Sequence, residues 1–156
     1  MRTAPTTEPT ADRAVYERAI QAIAPMDAEA LEVGWACVRV RRLGRGEHLL
    51  KAGQIASEVA VVAEGLVREF FIMADGVERT KAFVTRGQLT GSLADLLMAT
   101  PSKAFIVAEE PSRLLVTQYA AMQALAARHD AWRAFGARAT ERRPLPAACP
   151  AAFGRA

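Results

Sequence analysis

The spacing of apolar residues changes period twice along this chain. From Ala11 to Ile23 they recur at helical steps, with Val15, Ala19 and Ile23 on one face beside Ala22, and Pro25 ends the run. Asp27 then offers a carboxylate to the free N–H groups of a second, shorter helix through Leu31 and Val33. At Cys37 the period falls to two. Val38 and Val40 alternate with Arg39 and Arg41, which predicts a half-buried strand running to Leu43. Gly44-Arg45-Gly46 turns the chain, and Glu47 to Leu50 continues as strand.

Ser57 to Ala63 is apolar on both faces, as a central strand requires. Gly65 separates it from a strand over Leu66 to Met73, and Asp75-Gly76 predicts a two-residue hairpin turn returning along Val77 to Val84. Phe70, Phe71 and Phe83 are expected in the core. Bends follow at Arg86-Gly87 and Thr90-Gly91. Ser92 to Met98 reads as a short helix, with Ser92 as N-cap and Asp95 three positions on, close to a capping box. Lys103 to Ala108 and Arg113 to Thr117 supply two more strands. From Gln118 the period is helical again: Met122, Leu125, His129, Trp132, Gly136 and Ala139 form a narrow seam with a break expected near His129, where Asp130 would cap a restart. Past Arg143, three prolines among alanines end any helix.

These elements predict a flexible arm over residues 1–10, one domain over 11–143 and a disordered tail over 144–156. The domain is mainly β with flanking helices: a closed roll of about eight short strands, a form that removes exposed sheet edges. At 156 residues, 51% of them hydrophobic and 24% charged, the chain is of ordinary globular make-up.

Charge narrows the function. The net charge is +3, but six arginines from Arg128 onward, against Asp130 and Glu141, hold all of the excess. That is a weak nucleic-acid footprint. No run is long and apolar enough to span a membrane, and the first twelve residues lack the apolar centre of a secretory signal. Two cysteines, Cys37 and Cys149, make no metal framework and fit a reduced, cytoplasmic setting. Gly44-x-Gly46 lacks the helix of a nucleotide fingerprint, and no strand-to-helix Gly-x-Ser-x-Gly elbow occurs. The chain is read as a sensor and not as an enzyme.

The ordered set Gly46-Glu47, Ala52-Gly53, Gly65-Leu66-Val67-Arg68, Asp75-Gly76 with Phe83, and Gly91-Ser92 leading to Pro101-Ser102 resembles the effector domain of the Crp/Fnr family of transcription regulators. The resemblance implies a double-stranded, jelly-roll-like β-roll of the cyclic-nucleotide-binding type, a short phosphate-binding helix inside it and a C-terminal dimerisation helix. It implies a candidate ligand pocket at Gly91, Ser92, Leu93, Ser102, Lys103 and Ala104, and a homodimer interface at Met122, Leu125, His129 and Trp132. In the cyclic-nucleotide-binding members a Glu holds the ribose and an Arg the phosphate. Here Ser92 stands in place of the Glu and Ser102 in place of the Arg, with Lys103 as a point charge. A small anionic effector is the expected partner, with a cyclic nucleotide disfavoured by the loss of both groups. The family's DNA-binding half is not legible after Arg143, so the expectation is a sensor truncated before that half, with no sequence-specific DNA binding of its own. A dimerisation or scaffolding module with a degenerate pocket is the alternative. A cupin-like metalloenzyme is a remote one, since His48 and His129 lie far apart in the sequence.

Overall fold

The structure is a computed structural model that describes residues 9–142. The expected tail, and all of the expected arm but Pro9 and Thr10, lie outside the described residues. Those two open the first helix, α1 (Pro9–Gln21), which Val15, Tyr16, Ala19 and Ile20 anchor to the core. α2 (Ala28–Trp35) starts where Asp27 was expected to cap: its carboxylate accepts the Ala30 N–H at 2.8 Å.

Eight strands follow in two antiparallel sheets of four. They are β1 (Arg39–Leu43), β2 (His48–Leu50), β3 (Glu58–Glu64), β4 (Leu66–Ile72), β5 (Glu78–Thr85), β6 (Leu89–Thr90), β7 (Ala104–Ala108) and β8 (Ser112–Gln118). One sheet has the order β1-β8-β3-β6 and the other β2-β7-β4-β5. Ala60, Val62, Leu114 and Val116 of the first face Val67, Val84 and Ile106 of the second to form the inner core. On the other side of the first sheet, Val61, Ala63 and Leu115 receive the helices. The double apolar face of β3 therefore meets sheet on one side and helix on the other.

Three local expectations change. At the β4–β5 hairpin only Gly76 takes positive φ (88°), and its N–H bonds the Met73 carbonyl at 2.8 Å. The turn is a three-residue loop with one left-handed position, and Asp75 stabilises it by accepting the Val77 N–H at 3.0 Å. Val40 is 51% exposed, so β1 is not half-buried by alternation: it is an edge strand that the helical layer does not cover. Phe83 is 57% exposed on edge strand β5, whereas Phe70 is buried beneath the Arg68 guanidinium, 4.1 Å from its ring centroid, and stacked on Phe105 at 4.9 Å.

A short helix, α3 (Leu93–Met98), connects β6 to β7. The C-terminal helix is divided into α4 (Tyr119–Arg128) and α5 (Asp130–Arg142). The break falls at His129, whose backbone is extended, and the His129 carbonyl accepts from both Trp132 and Arg133 at 3.1 Å. His129, rather than Asp130, therefore stands at the head of α5. No helix among the described residues is long and apolar enough to cross a membrane.

Candidate functional site

The segment from Thr90 to Ala104 runs from β6 of the first sheet through α3 to β7 of the second. Gly91 turns it at φ 148°, and a Cβ there would lie 3.2 Å from the Glu58 carbonyl oxygen, so the position requires glycine. Ser92 sits at the head of α3 but makes no cap bond to the backbone; its hydroxyl donates to Asp95 Oδ2 at 2.5 Å. Ser102 is buried. Its Oγ accepts the Ala104 N–H at 2.9 Å and donates to the Ala104 carbonyl at 3.1 Å. Ala104 is buried opposite Phe71, and Lys103 is exposed. Gly91 and Leu93 line a cavity of about 370 Å³ on the helical side. The six candidate pocket residues therefore face three surroundings: the inside of the roll, the groove toward the helices and the solvent.

A further residue carries the electrostatics. Val67, Glu69 and Phe71 alternate onto the inner face of β4, and Glu69 is 2% exposed, cross-strand from Ile106 and Ala82. The Thr90 hydroxyl donates to Glu69 Oε2 at 2.6 Å, and Lys81 Nζ approaches Oε1 at 3.9 Å. The two-residue alternation through Val67-Arg68-Glu69-Phe70-Phe71 was the available sequence signal. Chemically, the recess inside the roll carries a carboxylate that accepts from the Thr90 hydroxyl and is approached by Lys81. Among the described residues no arginine fork is aimed at an anion there, and Ser102 is engaged with its own backbone.

This arrangement predicts weak binding of cyclic phosphates. Two missing charge-assisted contacts are worth roughly 1.5–3 kcal/mol each, so calorimetry with cyclic AMP should show no saturable heat up to about 1 mM. A micromolar isotherm would contradict this account of the recess.

The four seam residues are placed unalike. Trp132 is 3% exposed, and its Nε1–H donates to the Ala30 carbonyl of α2 at 2.9 Å. Met122 and Leu125 are half-buried against the helical core, and His129 is half-buried at the break. The other histidine, His48, lies on β2 with its ring centroid 6.0 Å from that of Phe105 in an edge contact. Burial and then Lys51 hold its pKa below the usual imidazole value. Among the described residues no three His, Cys, Asp or Glu side chains gather as a metal site. The Cys37 thiol donates to the Val33 carbonyl at 3.5 Å.

Comparison with known proteins places the fold. Two solved structures share about a quarter of their sequence with this chain. The Catabolite Activator Protein of Thermus thermophilus is 26% identical with a TM-score of 0.68, over 76% of this chain and 55% of that one. The chain thus spans about half the length of that relative. The N-terminal domain of a transcriptional regulator from Streptomyces coelicolor A3(2) is 25% identical with a TM-score of 0.67, over 84% of this chain and 91% of that domain. The sensor domain of the transcriptional regulator DNR from Pseudomonas aeruginosa, at 17% identity and a TM-score of 0.69, shares the fold over 86% of this chain. No curated protein matches. The resemblance to Crp/Fnr-type regulators, read from the order of the turns, is borne out by these neighbours. The model of the cyclic nucleotide-binding domain family matches residues 40–129, more than half of the sequence, and the chain belongs to that family.

Proposed function

We propose that this domain is the effector-sensing part of a Crp/Fnr-type transcription regulator, in which occupancy beside the roll is passed to α4 and α5. One observation carries the reading. Leu89, at the start of β6, Leu93 at the head of α3 and Met122 of α4 each pack against both hydrophobic cores. Leu93 and Met122 therefore tie α3 and α4 to the same two cores, and a displacement of α3 is passed on through those shared cores, which yield little. A ligand moves the helices only to the extent that it favours one arrangement over the other. In this reading two copies pair through α4 and α5. Met122 and Leu125 are their half-buried apolar positions, while Trp132 serves its own subunit.

The coupling is testable without a ligand. Leu93→Ala should speed amide exchange in α4 and α5 as well as in α3, leaving β1 and β2 near the original protection. If the change stopped at α3, the roll and the helices would be independent and a sensor built this way would not work. A plain scaffolding role predicts that local outcome.

A further inference from the structure

The cavity beside α3 is walled by Leu93, Val59, Tyr119, Met122 and Phe135, with Gly136 on its rim. It lies outside the roll, between the first sheet, α1, α4 and α5. None of the described residues that line it carries a charge. An ionic ligand would lose its hydration there without gaining a partner.

At the rim Gly136 is exposed and leaves the entrance unobstructed. Apart from proline, glycine is the least favourable residue inside a helix. Its usual justification is the close approach of another backbone, yet a Cβ built at Gly136 would meet nothing within 4 Å. The polar atoms at hand are few. Thr140 returns its hydroxyl to the Gly136 carbonyl at 2.9 Å, and the Gln88 side-chain oxygen accepts from Thr85 at 2.9 Å. The Tyr119 hydroxyl and the Gln88 side-chain N–H groups have no hydrogen-bond partner among the described residues, so they are the available handles. An engineered apolar cavity of about 150 Å³ holds one benzene ring. A volume of about 370 Å³ therefore has room for a two-ring molecule.

We infer that this cavity is a binding site for a neutral, mainly apolar small molecule of two-ring size carrying a single polar group. The inference rests on the sensor reading, because the site abuts Leu93 and Met122, but it is separately testable. The amide-exchange experiment needs no ligand, so failure there leaves the binding result standing, and the reverse holds too.

The test is calorimetry on the full chain with 2-naphthol, neutral at pH 7, and with 2-naphthoate, its charged counterpart. The expected result is one site for 2-naphthol with a dissociation constant of about 10–100 µM, and at least tenfold weaker binding of 2-naphthoate. Gly136→Leu should fill the space and weaken 2-naphthol binding by at least about tenfold, while Gly136→Ala stays within about threefold of the original chain. Leu97→Glu, at a rim residue that is 55% exposed, should weaken it several-fold without a folding cost. No saturable binding, equal binding of the two probes, or indifference to both Gly136→Leu and Leu97→Glu would overturn the inference. So would a dimer that Gly136→Leu dissociates, since a second copy would then fill the groove.

Discussion

Trp132→Ala should remove about 3–5 kcal/mol of folding stability, the range for truncating a large buried aromatic. The indole sits at the centre of the helical layer, with its ring centroid 5.2 Å from that of Phe135 in an edge contact. Its N–H donates to the Ala30 carbonyl at 2.9 Å, joining residues 102 positions apart. Gly34 makes this possible: a Cβ there would lie 2.3 Å from Trp132 Cζ2 and 2.7 Å from the Tyr16 hydroxyl oxygen. Trp132→Phe keeps a ring against α2 but drops the hydrogen bond, so it should cost only about 1–2 kcal/mol. Urea unfolding followed by far-UV circular dichroism measures both, and an unchanged denaturant slope would assign the loss to the native state. A loss below 1 kcal/mol for Trp132→Ala, or one that appeared as dimer dissociation, would move the indole to a subunit interface.

Arg113→Met should cost about 3–5 kcal/mol, for a different reason: it strands a buried charge. Arg113, near the start of β8, bonds both oxygens of Asp12 at 3.1 and 3.3 Å, and its remaining nitrogen reaches Glu64 at 2.6 Å. Asp12, in the first turn of α1, is 3% exposed, whereas the Glu64 side chain is 69% exposed. The Asp12 pair therefore carries the effect, and Glu64→Ala should cost no more than about 1 kcal/mol, as solvated ion pairs do. Replacing both partners, as Asp12→Leu with Arg113→Met, should restore most of the loss, because the buried carboxylate leaves with its half-buried counter-charge. Equilibrium unfolding of the two single variants and the double variant decides this. If the double variant were as unstable as the sum of the singles, the two residues would not act as a pair.

The first prediction concerns the packing of helix on helix and the second the attachment of α1 to the roll, and neither could be read locally. The seam Met122, Leu125, His129, Trp132 has one sequence period, yet Trp132 turns inward to α2 while the helix breaks at His129. The alternation of β1 is equally regular, yet Val40 stays exposed because no helix covers that edge. Phe83 and Phe70 share a residue type and opposite fates, decided by whether Arg68 and Phe105 cover the ring. Ser92 stands where a cap was expected, but its hydroxyl bonds the Asp95 carboxylate instead.

The roll itself was determined by the sequence. Backbone geometry fixes a period of two for strands and 3.6 for helices, and each turn needs glycine or a capping side chain at a definite place, so Asp27, Gly76 and Gly91 signal their structures within a few residues. The buried acid at Glu69, the indole on Gly34, the Arg113–Asp12 clasp and the uncharged cavity at Gly136 were decided by the tertiary structure. Each depends on which surface another part of the chain brings against it, in two cases from more than a hundred residues away, and no local pattern encodes that partner.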